Sequence, residues 1–381
     1  MWIQHAALED FRNYRREAVE FHNGLNLVIG RNAQGKTNLL EAVYCLSGFG
    51  SPRGRDVNLV RSGAERALLH ADVVRNARSV HIDLELRPGA RARVLINRTP
   101  AAGTRALREL TSAVFFGPDD PLLIKGAPEG RRRFIDDLIV KLRPARESLR
   151  REWDRILKQR NTLLKSIPRS GSAGESATAT LEVWDESFCR VGSELVAARL
   201  EALWALVPFA RKRYEEIAGG GRIELTYESE YVPAADGTME TEQIRESLER
   251  SLRTVRAREF ERGVSLVGPH RDDVAVRLAS AQTEGAPLDA RAFASQGDQR
   301  TSALALKLGE HDLLTDALGE EPVLLLDDVL SELDPGRRGY LLETVTGRGQ
   351  TFVSSAEDDV LSDHRDARVI EVSQGRFRIH D

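Results

Sequence analysis

The sequence has few cysteines and no long apolar run. Cys45 and Cys189 are the two cysteines in 381 residues, too few for a disulfide framework or a cysteine-based zinc site. No apolar run approaches the roughly 20 residues that a membrane-spanning helix needs. Residues 1–5 lack the basic segment and apolar core that begin a signal peptide. We therefore expect a cytoplasmic protein with no membrane partner.

Charge of neither sign dominates the chain as a whole. The net charge is −4, which argues against a wholly basic nucleic-acid binder. The distribution is uneven, however, because residues 131–165 carry a net charge of +7 and residues 310–381 one of −10. A confined basic segment in an otherwise acidic chain indicates a local site for a polyanion.

The most informative motif is a phosphate loop between a strand-like apolar run and an amphipathic helical run. The loop reads Gly30-Arg31-Asn32-Ala33-Gln34-Gly35-Lys36-Thr37, and Asn38 follows it. In this context inward-pointing backbone N–H groups and the helix N-terminus bind phosphate. We expect Lys36 to bridge the β- and γ-phosphates of a nucleotide and Thr37 to supply a hydroxyl ligand to Mg²⁺.

An acidic strand end complements that loop. The apolar run at residues 323–326 leads directly into Asp327 and Asp328. In phosphate-loop proteins the first carboxylate of such a pair belongs to the Mg²⁺ shell. The second is placed to polarise the attacking water. Asp327 is therefore a predicted metal-shell residue, and Asp328 a predicted catalytic residue.

Two further segments have the character of loops in ATP-binding-cassette ATPases. The sequence Ser331-Glu332-Leu333-Asp334-Pro335 resembles their D-loop, and it also fits an ordinary helix cap followed by a first-position proline. The sequence Ser295-Gln296-Gly297-Asp298-Gln299-Arg300 opens an amphipathic helix. Its N-terminus is able to receive an anion, or it is a simple cap.

The order of elements predicts an α/β nucleotide-binding head with an inserted helical lobe. Short strands occupy the first part of the chain, helical periodicity takes over after Pro118, and a buried parallel-type strand returns at residues 323–326. Two long helices joined by a Gly/Ser-rich tip at residues 168–176 form a short antiparallel hairpin. We expect the head at residues 1–118 and 263–381, and the helical lobe at 119–262.

Several longer strings resemble the RecF family of bacterial recombination mediators, within the cassette ATPase superfamily. They are Phe11-Arg12-Asn13-Tyr14, the extended phosphate loop, Phe116-Gly117-Pro118-Asp119-Asp120, Arg131-Arg132-Arg133-Phe134-Ile135-Asp136 and Gly268-Pro269-His270-Arg271-Asp272-Asp273. The resemblance runs from Phe11 to about Ser355. One departure is Asp298, where the family pattern leads us to expect Gln.

The resemblance implies a weak, DNA-stimulated ATPase that forms a homodimer on ATP. Residues 30–38 with Arg12 and Asn13 would bind the nucleotide of one subunit, and Lys36 and Asp328 would act in catalysis. Ser295, Gln296 and Gly297 of the other subunit would reach the same nucleotide, with Ser331 and Asp334 at the dimer interface. The family acts on gapped and single-stranded DNA with RecO and RecR, helping to load RecA.

The basic segment is the predicted DNA-binding surface of the helical lobe. Its candidate contacts are Arg131, Arg132, Arg133, Lys141, Arg150 and Arg151. Clustered arginines with few aromatics are typical of phosphate neutralisation without base readout. A solvated helix face, or arginines that join the two lobes, would produce the same pattern.

Two other functions compete with this interpretation. A transporter motor would have a Leu-Ser-Gly-Gly-Gln signature and a short helical subdomain, and the sequence has neither. An ATP-gated structural clamp on DNA, in which hydrolysis is incidental, fits the same motifs. His270 is open to three interpretations: a nucleotide contact, a group that orients Asp272, or a structural histidine at a turn.

Overall fold

The computed structural model describes residues 1–53, 56–167, 175–233, 239–279, 286–356 and 367–380. The chain forms two compact units. Unit 1 contains Met1–Pro121, Arg213–Gly220 and Gln296–Asp381, and unit 2 contains Leu122–Lys212 and Gly221–Ser295. None of the described helices is long and apolar enough to cross a membrane.

The described strands and helices occur in runs along the chain, with four consecutive helices between β8 and β9. The strands are β1 (Trp2–Phe11), β2 (Tyr14–Glu20), β3 (Leu25–Ile29), β4 (Ala67–Arg75), β5 (Arg78–Leu86), β6 (Arg93–Ile96), β7 (Thr99–Pro100), β8 (Ala113–Phe116), β9 (Arg222–Glu228), β10 (Asp273–Ala279), β11 (Leu288–Asp289), β12 (Val323–Asp327), β13 (Thr351–Ser355), β14 (Arg368–Ser373) and β15 (Arg376–His380). The helices are α1 (Lys36–Cys45), α2 (Thr104–Leu110), α3 (Leu122–Lys125), α4 (Pro128–Leu142), α5 (Glu147–Ser166), α6 (Glu175–Ala218), α7 (Thr241–Arg262), α8 (Ala290–Phe293), α9 (Gln296–Leu318) and α10 (Pro335–Val345).

Unit 1 contains a largely parallel sheet in the order β15-β14-β3-β13-β12-β8. Every residue of β12 and β13 is buried. This explains their continuous apolar character, since a parallel strand is covered on both faces. Strands β3, β12 and β13 run in the same direction. Their carboxyl ends therefore meet at one edge, where the phosphate loop and Asp327 follow.

A second, antiparallel sheet of unit 1 has the order β2-β1-β4-β5-β6-β7. Strand β4 alternates strictly, with Ala67, Leu69, Ala71 and Val73 buried. One face of this sheet thus packs on a hydrophobic core shared with α1 and the parallel sheet, and the opposite face carries the polar side chains.

Unit 2 contains the predicted antiparallel helical hairpin. Arg160 of α5 pairs with Asp185 of α6. Trp153, which precedes Arg160 in α5, packs on Phe188, which follows Asp185 in α6. Contacts that descend along one helix while ascending along the other define an antiparallel pair. The predicted tip falls largely on residues 168–174, which lie outside the described residues.

The compact units differ from the expected domain bounds where the chain returns from the helical lobe to the head. Residues 263–295, which we expected in the head, cluster with unit 2. The physical reason is that β10 pairs with β9 along its whole length, from Asp273 to Ala279. The end of α6 from Arg213 clusters with unit 1, where Arg213 forms an ion pair with Asp312.

Candidate nucleotide site

The phosphate loop connects β3 to α1, and its two glycines are required by both backbone angle and space. Gly30 has a φ of +143°, and a Cβ there would lie 2.3 Å from the carbonyl oxygen of Val372. Gly35 has a φ of +124°, and its Cβ would lie 2.8 Å from the Tyr14 hydroxyl. Since L side chains rarely adopt such angles, no other residue fits either position without strain. Arg31, Asn32 and Ala33 form the exposed mouth of the loop.

Side chains outside the loop hold its backbone in place. The buried Tyr14 hydroxyl donates to the carbonyl of Gly35 at 2.8 Å, and Asn13 Nδ2 donates to the carbonyl of Gln34 at 2.9 Å. Asn38 Nδ2 in turn donates to Asn13 Oδ1 at 2.7 Å. The structure therefore uses Asn13 and Asn38 as braces of the loop.

Lys36 is the first residue of α1, and its side chain folds back over the phosphate loop. Its Nζ donates to the carbonyls of Gly30 and Arg31, at 2.5 and 3.1 Å. Burial lowers the pKa of this ammonium, and the nearby carboxylates of Asp328 and Asp327 partly oppose that effect. A buried cation whose hydrogen bonds go to neutral carbonyls is arranged to favour an incoming anion.

Asp327 lies at the end of β12, against the first turn of α1. Its Oδ1 accepts hydrogen bonds from the hydroxyls of Thr37 at 2.9 Å and of Ser354 at 2.7 Å. Asp327 is 2% exposed, and this burial raises the pKa of its carboxyl against the effect of the two hydroxyls. The carboxylate is thus desolvated and held by neutral hydroxyls, which is an arrangement that a divalent cation would stabilise.

Asp328 adopts a backbone angle that is unusual for a residue other than glycine. Its φ is +52°, and its N–H donates to Ser354 Oγ at 2.9 Å. The hydroxyl of Ser331 reaches both the carbonyl and Oδ1 of Asp328, each at 3.1 Å. Such local strain persists only where the surroundings fix it, and it fixes the direction of this carboxylate.

The other two predicted loops lie at helix starts. Asp334 caps α10 by accepting from the N–H of Arg337 at 3.1 Å, and this bond lowers the pKa of its carboxyl. Ser295 and Gln296 are exposed where α9 begins, and Gly297 is half-buried. The helix-cap interpretation of Asp334 is therefore confirmed, and it leaves an interface role open.

A cavity of about 580 Å³ adjoins the phosphate loop within unit 1. Its lining includes Gly30, Arg31 and Gln34 from the loop and Gln374 and His380 from the β14–β15 hairpin. Gln34 also ties the two segments together, because its Oε1 accepts from the N–H of Gln374 at 2.7 Å. The space is large enough for part of a nucleotide to lie beside the loop.

Comparison with known proteins identifies the family. Residues 2–378 match the family model described as the RecF/RecN/SMC N-terminal domain. The DNA replication and repair protein RecF of Streptomyces avermitilis is 44% identical over 364 residues, which cover 94% of each chain. RecF of Beutenbergia cavernae is 40% identical, with 97% of each chain covered. The chain belongs to the RecF family.

Solved structures agree with this assignment. The RecF family structure described as the recombination mediator RecF with ATP in the RecFOR pathway superposes with a TM-score of 0.88 at 30% identity, covering 100% of this chain and 98% of that one. An Smc head domain from Pyrococcus furiosus has a TM-score of 0.56 at 17% identity, and this likeness concerns the fold alone. The predicted α/β cassette-type head with an inserted helical lobe is thus confirmed.

Arg12, which the RecF resemblance placed at the nucleotide, is held by a carboxylate of α1. Its Nε and one terminal nitrogen contact the two oxygens of Glu41 at 2.7 and 2.8 Å. The other terminal nitrogen donates to the carbonyl of Asn58 at 2.8 Å. Glu41 is fully buried, and it also accepts from Ser51 Oγ. Arg12 therefore stabilises α1 through its ion pair with Glu41.

Two of the six predicted DNA contacts are wrong, because their side chains are buried inside unit 2. Arg131 forms a bidentate ion pair with Asp273, at 2.8 and 2.7 Å, and also donates to three backbone carbonyls. Lys141 is 7% exposed. Neither side chain is available to a phosphate backbone. The arginine joins α4 to the start of β10 within unit 2.

The remaining candidates differ in the solvent exposure of their side chains and in the groups that they contact. Arg132 is half-buried and donates to the carbonyl of Asp272 at 2.7 Å. Arg150 is 39% exposed and lies 3.4 Å from Asp137. Arg133 is exposed, and Arg151 is 69% exposed with Glu147 at 3.7 Å. Of the six, Arg133 and Arg151 present the most accessible charge.

His270 proves to be structural. Its ring packs against Trp153 and Phe188, with ring centres 6.0 and 6.4 Å away, and its Nε2 lies 3.2 Å from the carbonyl of Ser265. Burial lowers the pKa of this imidazole to about 4. Asp272, which His270 was considered to orient, instead accepts from the hydroxyls of Tyr227 and Tyr231.

Sequence reasoning assigned no role to Ser354, Tyr14 or Glu41. Ser354 pairs with Asp327 across the parallel strands β12 and β13, so its hydroxyl donates to the Asp327 carboxylate and accepts from the backbone N–H of Asp328. A signal was present, because the predicted strand at 351–353 continues into two serines at the same sheet edge. Glu41 lay within an apolar helix pattern and had no sequence signal of its own.

Proposed function

We propose that this chain is an ATP-dependent DNA-binding protein of recombinational repair. It binds ATP with Mg²⁺, dimerises in the ATP state, and resets by slow, DNA-stimulated hydrolysis. The observation that carries the proposal is the hydrogen bond from Thr37 to Asp327, which brings a phosphate loop and an acidic strand end 290 residues apart into one site.

The residues present fit a magnesium ion. Thr37 Oγ1 and Asp327 Oδ1 lie 2.9 Å apart, and both are hard oxygen ligands of the kind that Mg²⁺ selects. When bound with a nucleotide, the ion would neutralise phosphate charge at this edge of the sheet. The chain's own part is to present Lys36 to the phosphates, and to hold Asp328 by Ser331 and Ser354 so that it can orient a water.

The dimer proposal rests on the exposed start of α9. Ser295, Gln296 and Gly297 lie at a helix N-terminus, which favours an anion, and we assign them to the γ-phosphate of a second subunit. Ser331 and Asp334 would lie at the same interface. If the γ-phosphate is shared across two subunits in this way, ATP supports dimerisation and ADP does not.

A pair of single variants tests these roles. Lys36→Ala removes the loop's cation and should abolish ATP binding and with it dimerisation. Asp328→Asn should bind ATP and accumulate as a long-lived dimer, because the metal-shell carboxylate stays while the water-orienting one is removed. Asn tolerates the positive φ at this position, so the backbone is preserved. Parental hydrolysis by Asp328→Asn would assign the base elsewhere.

The DNA site is proposed on the exposed face of α5. Arg151, Arg155 and Lys158 are exposed and recur at helical spacing, and Arg133 of α4 adds a further exposed cation in unit 2. Phosphate contacts from such a stripe carry no base information, so binding should be insensitive to sequence. Two subunits in an ATP dimer would double the contacts on one strand.

Charge reversal on that face tests the proposal. Arg155→Glu with Lys158→Glu should lower DNA affinity for all sequences alike, and should flatten log K against log salt by about 0.9 for each phosphate that the variant no longer neutralises. The matched control is Arg253→Glu on α7, a 78% exposed arginine outside the basic segment. An unchanged salt slope in the double variant would move the DNA site off α5.

The proposed cellular role rests on the descriptions of the relatives. The RecF relatives are described as DNA replication and repair proteins, and the ATP-bound relative as a recombination mediator of the RecFOR pathway. We propose that this chain likewise binds gapped or junction DNA and acts with RecO and RecR in loading RecA. Pull-down of purified RecR by the ATP-bound dimer on gapped duplex, compared with Lys36→Ala, tests the partnership.

A further inference from the structure

The outer face of the antiparallel sheet of unit 1 carries a cluster of histidines and aspartates away from the nucleotide site. His70 of β4 is paired across the strands with Asp83 of β5, and Asp72 of β4 with His81 of β5. The residues between them, such as Leu69, Ala71, Ile82 and Leu84, point to the buried core. Strand alternation therefore places all four polar side chains on the same face.

Three of these side chains converge on one point. His70 Nδ1 lies 2.5 Å from Asp83 Oδ1, and His81 Nε2 lies 3.1 Å from the same oxygen. The ligand atoms of His70, His81 and Asp83 all lie within 4.8 Å of one another. Ligands of a tetrahedral zinc ion, each at about 2.0–2.1 Å from the metal, are about 3.3 Å apart. Small side-chain adjustments would therefore accommodate the ion.

The fourth residue has the position of a supporting group. Asp72 Oδ1 lies 2.8 Å from His81 Nδ1, on the opposite side of the ring from Asp83. This contact directs the Nδ1 proton to Asp72 and makes Nε2, which faces Asp83 Oδ1 at 3.1 Å, the nitrogen that would coordinate an ion. A carboxylate that orients a histidine in this way is the usual support of a metal-bound imidazole.

From this geometry we propose that His70, His81 and Asp83 form a binding site for one divalent transition-metal ion of the zinc class. Two imidazoles and one carboxylate favour Zn²⁺ or Co²⁺ over Mg²⁺, which prefers oxygen ligands alone. With three protein ligands the fourth position belongs to water. Because the ligands come from two adjacent strands, the bound ion would fasten the β4–β5 hairpin.

The site is distinct from the proposed magnesium site in both ligands and place. Thr37 and Asp327 lie at the carboxyl edge of the parallel sheet, and they offer no nitrogen. The two thiols do not compete either, because Cys45 and Cys189 are buried and burial raises the pKa of Cys189 to about 12. Loss of metal uptake in the histidine variants, measured without nucleotide, therefore assigns that uptake to the histidine cluster.

The test is metal titration of the tag-free, chelator-treated full chain in the absence of nucleotide. We expect one Zn²⁺ per chain by calorimetry, and visible absorption bands of tetrahedral cobalt when Co²⁺ replaces it. His81→Asn and His70→Asn should each weaken binding at least tenfold. Asp72→Asn should weaken it about tenfold while the stoichiometry stays at one, because it supports a ligand without being one.

The matched control is His380→Asn, an exposed histidine on β15 that contacts Glu371 and lies outside the cluster. It should bind Zn²⁺ as the parent does. Failure of the parent chain to take up one Zn²⁺, or unchanged affinity in folded His81→Asn, would overturn the proposal. The cobalt spectrum of the parent decides the question even where a variant misfolds, since an octahedral or absent signal contradicts the three-ligand site.

Discussion

Replacing Arg12 by alanine should strongly destabilise the chain, because it isolates a buried charge. The Glu41 carboxylate is 0% exposed and is paired with Arg12 through two hydrogen bonds, whereas the Arg12 side chain is 21% exposed. Removing one partner of a buried pair costs about 3–5 kcal/mol. This is a large part of a typical stability of about 5–15 kcal/mol. For a chain of 381 residues it corresponds to a fall in Tm of roughly 4–6 °C.

The backbone does not complicate the comparison. Arg12 has a φ of +53°, and alanine bears the same Cβ, so the strain is present in both proteins. The control is Arg61→Ala, which breaks the ion pair with Asp10 in the same unit. Those side chains are 37% and 29% exposed, and exposed pairs contribute less than about 1 kcal/mol.

Chemical denaturation of Arg12→Ala, Arg61→Ala and the double variant Arg12→Leu with Glu41→Met provides the assay. The double variant should recover most of the stability that Arg12→Ala removes, since it leaves no unpaired charge. A loss below about 1 kcal/mol in Arg12→Ala would refute the reasoning. ATP affinity of the stable double variant then reports separately whether Arg12 contacts the nucleotide, as the family resemblance implies.

Two further predictions concern His270 and Ser295. The folded pKa of His270, about 4, lies below its ordinary value of 6.5, so its contribution to stability is complete above pH 6.5 and is lost as the pH falls towards 4. The free energy of unfolding should fall by about 3 kcal/mol over this range. Denaturation at several pH values should show this fall in the parent chain and a much weaker pH dependence in His270→Gln. Ser295→Arg should keep the ATP affinity of the monomer and block the dimer, and equal loss of both would show that Ser295 acts within its own subunit.

Much of the nucleotide site could be predicted because its chemistry is local in sequence. The phosphate loop, the acidic end of β12 and the cap at Asp334 each consist of a few consecutive residues. The residue types at fixed spacing therefore identify them. The sequence assigned Thr37 and Asp327 to one Mg²⁺ shell, and the structure places the two side chains 2.9 Å apart.

The basic segment could not be interpreted in the same way. A run of arginines has no periodicity that separates a buried cation from an exposed one. Arg131 is buried because Asp273, 142 residues away, pairs with it, and only the tertiary fold supplies that partner. The same limit applies to the boundary at which the chain returns to the head, because it depends on the long-range pairing of β10 with β9.

Sedimentation of the parent chain with ATP, with ADP and without nucleotide tests the central claim most directly. The account predicts a dimer with ATP and Mg²⁺, and a monomer with ADP or with no nucleotide, because the γ-phosphate is the group that two subunits would share. Lys36→Ala should remain a monomer in all three conditions. A dimer that forms equally well with ADP, or a monomer that persists with saturating ATP, would contradict the account.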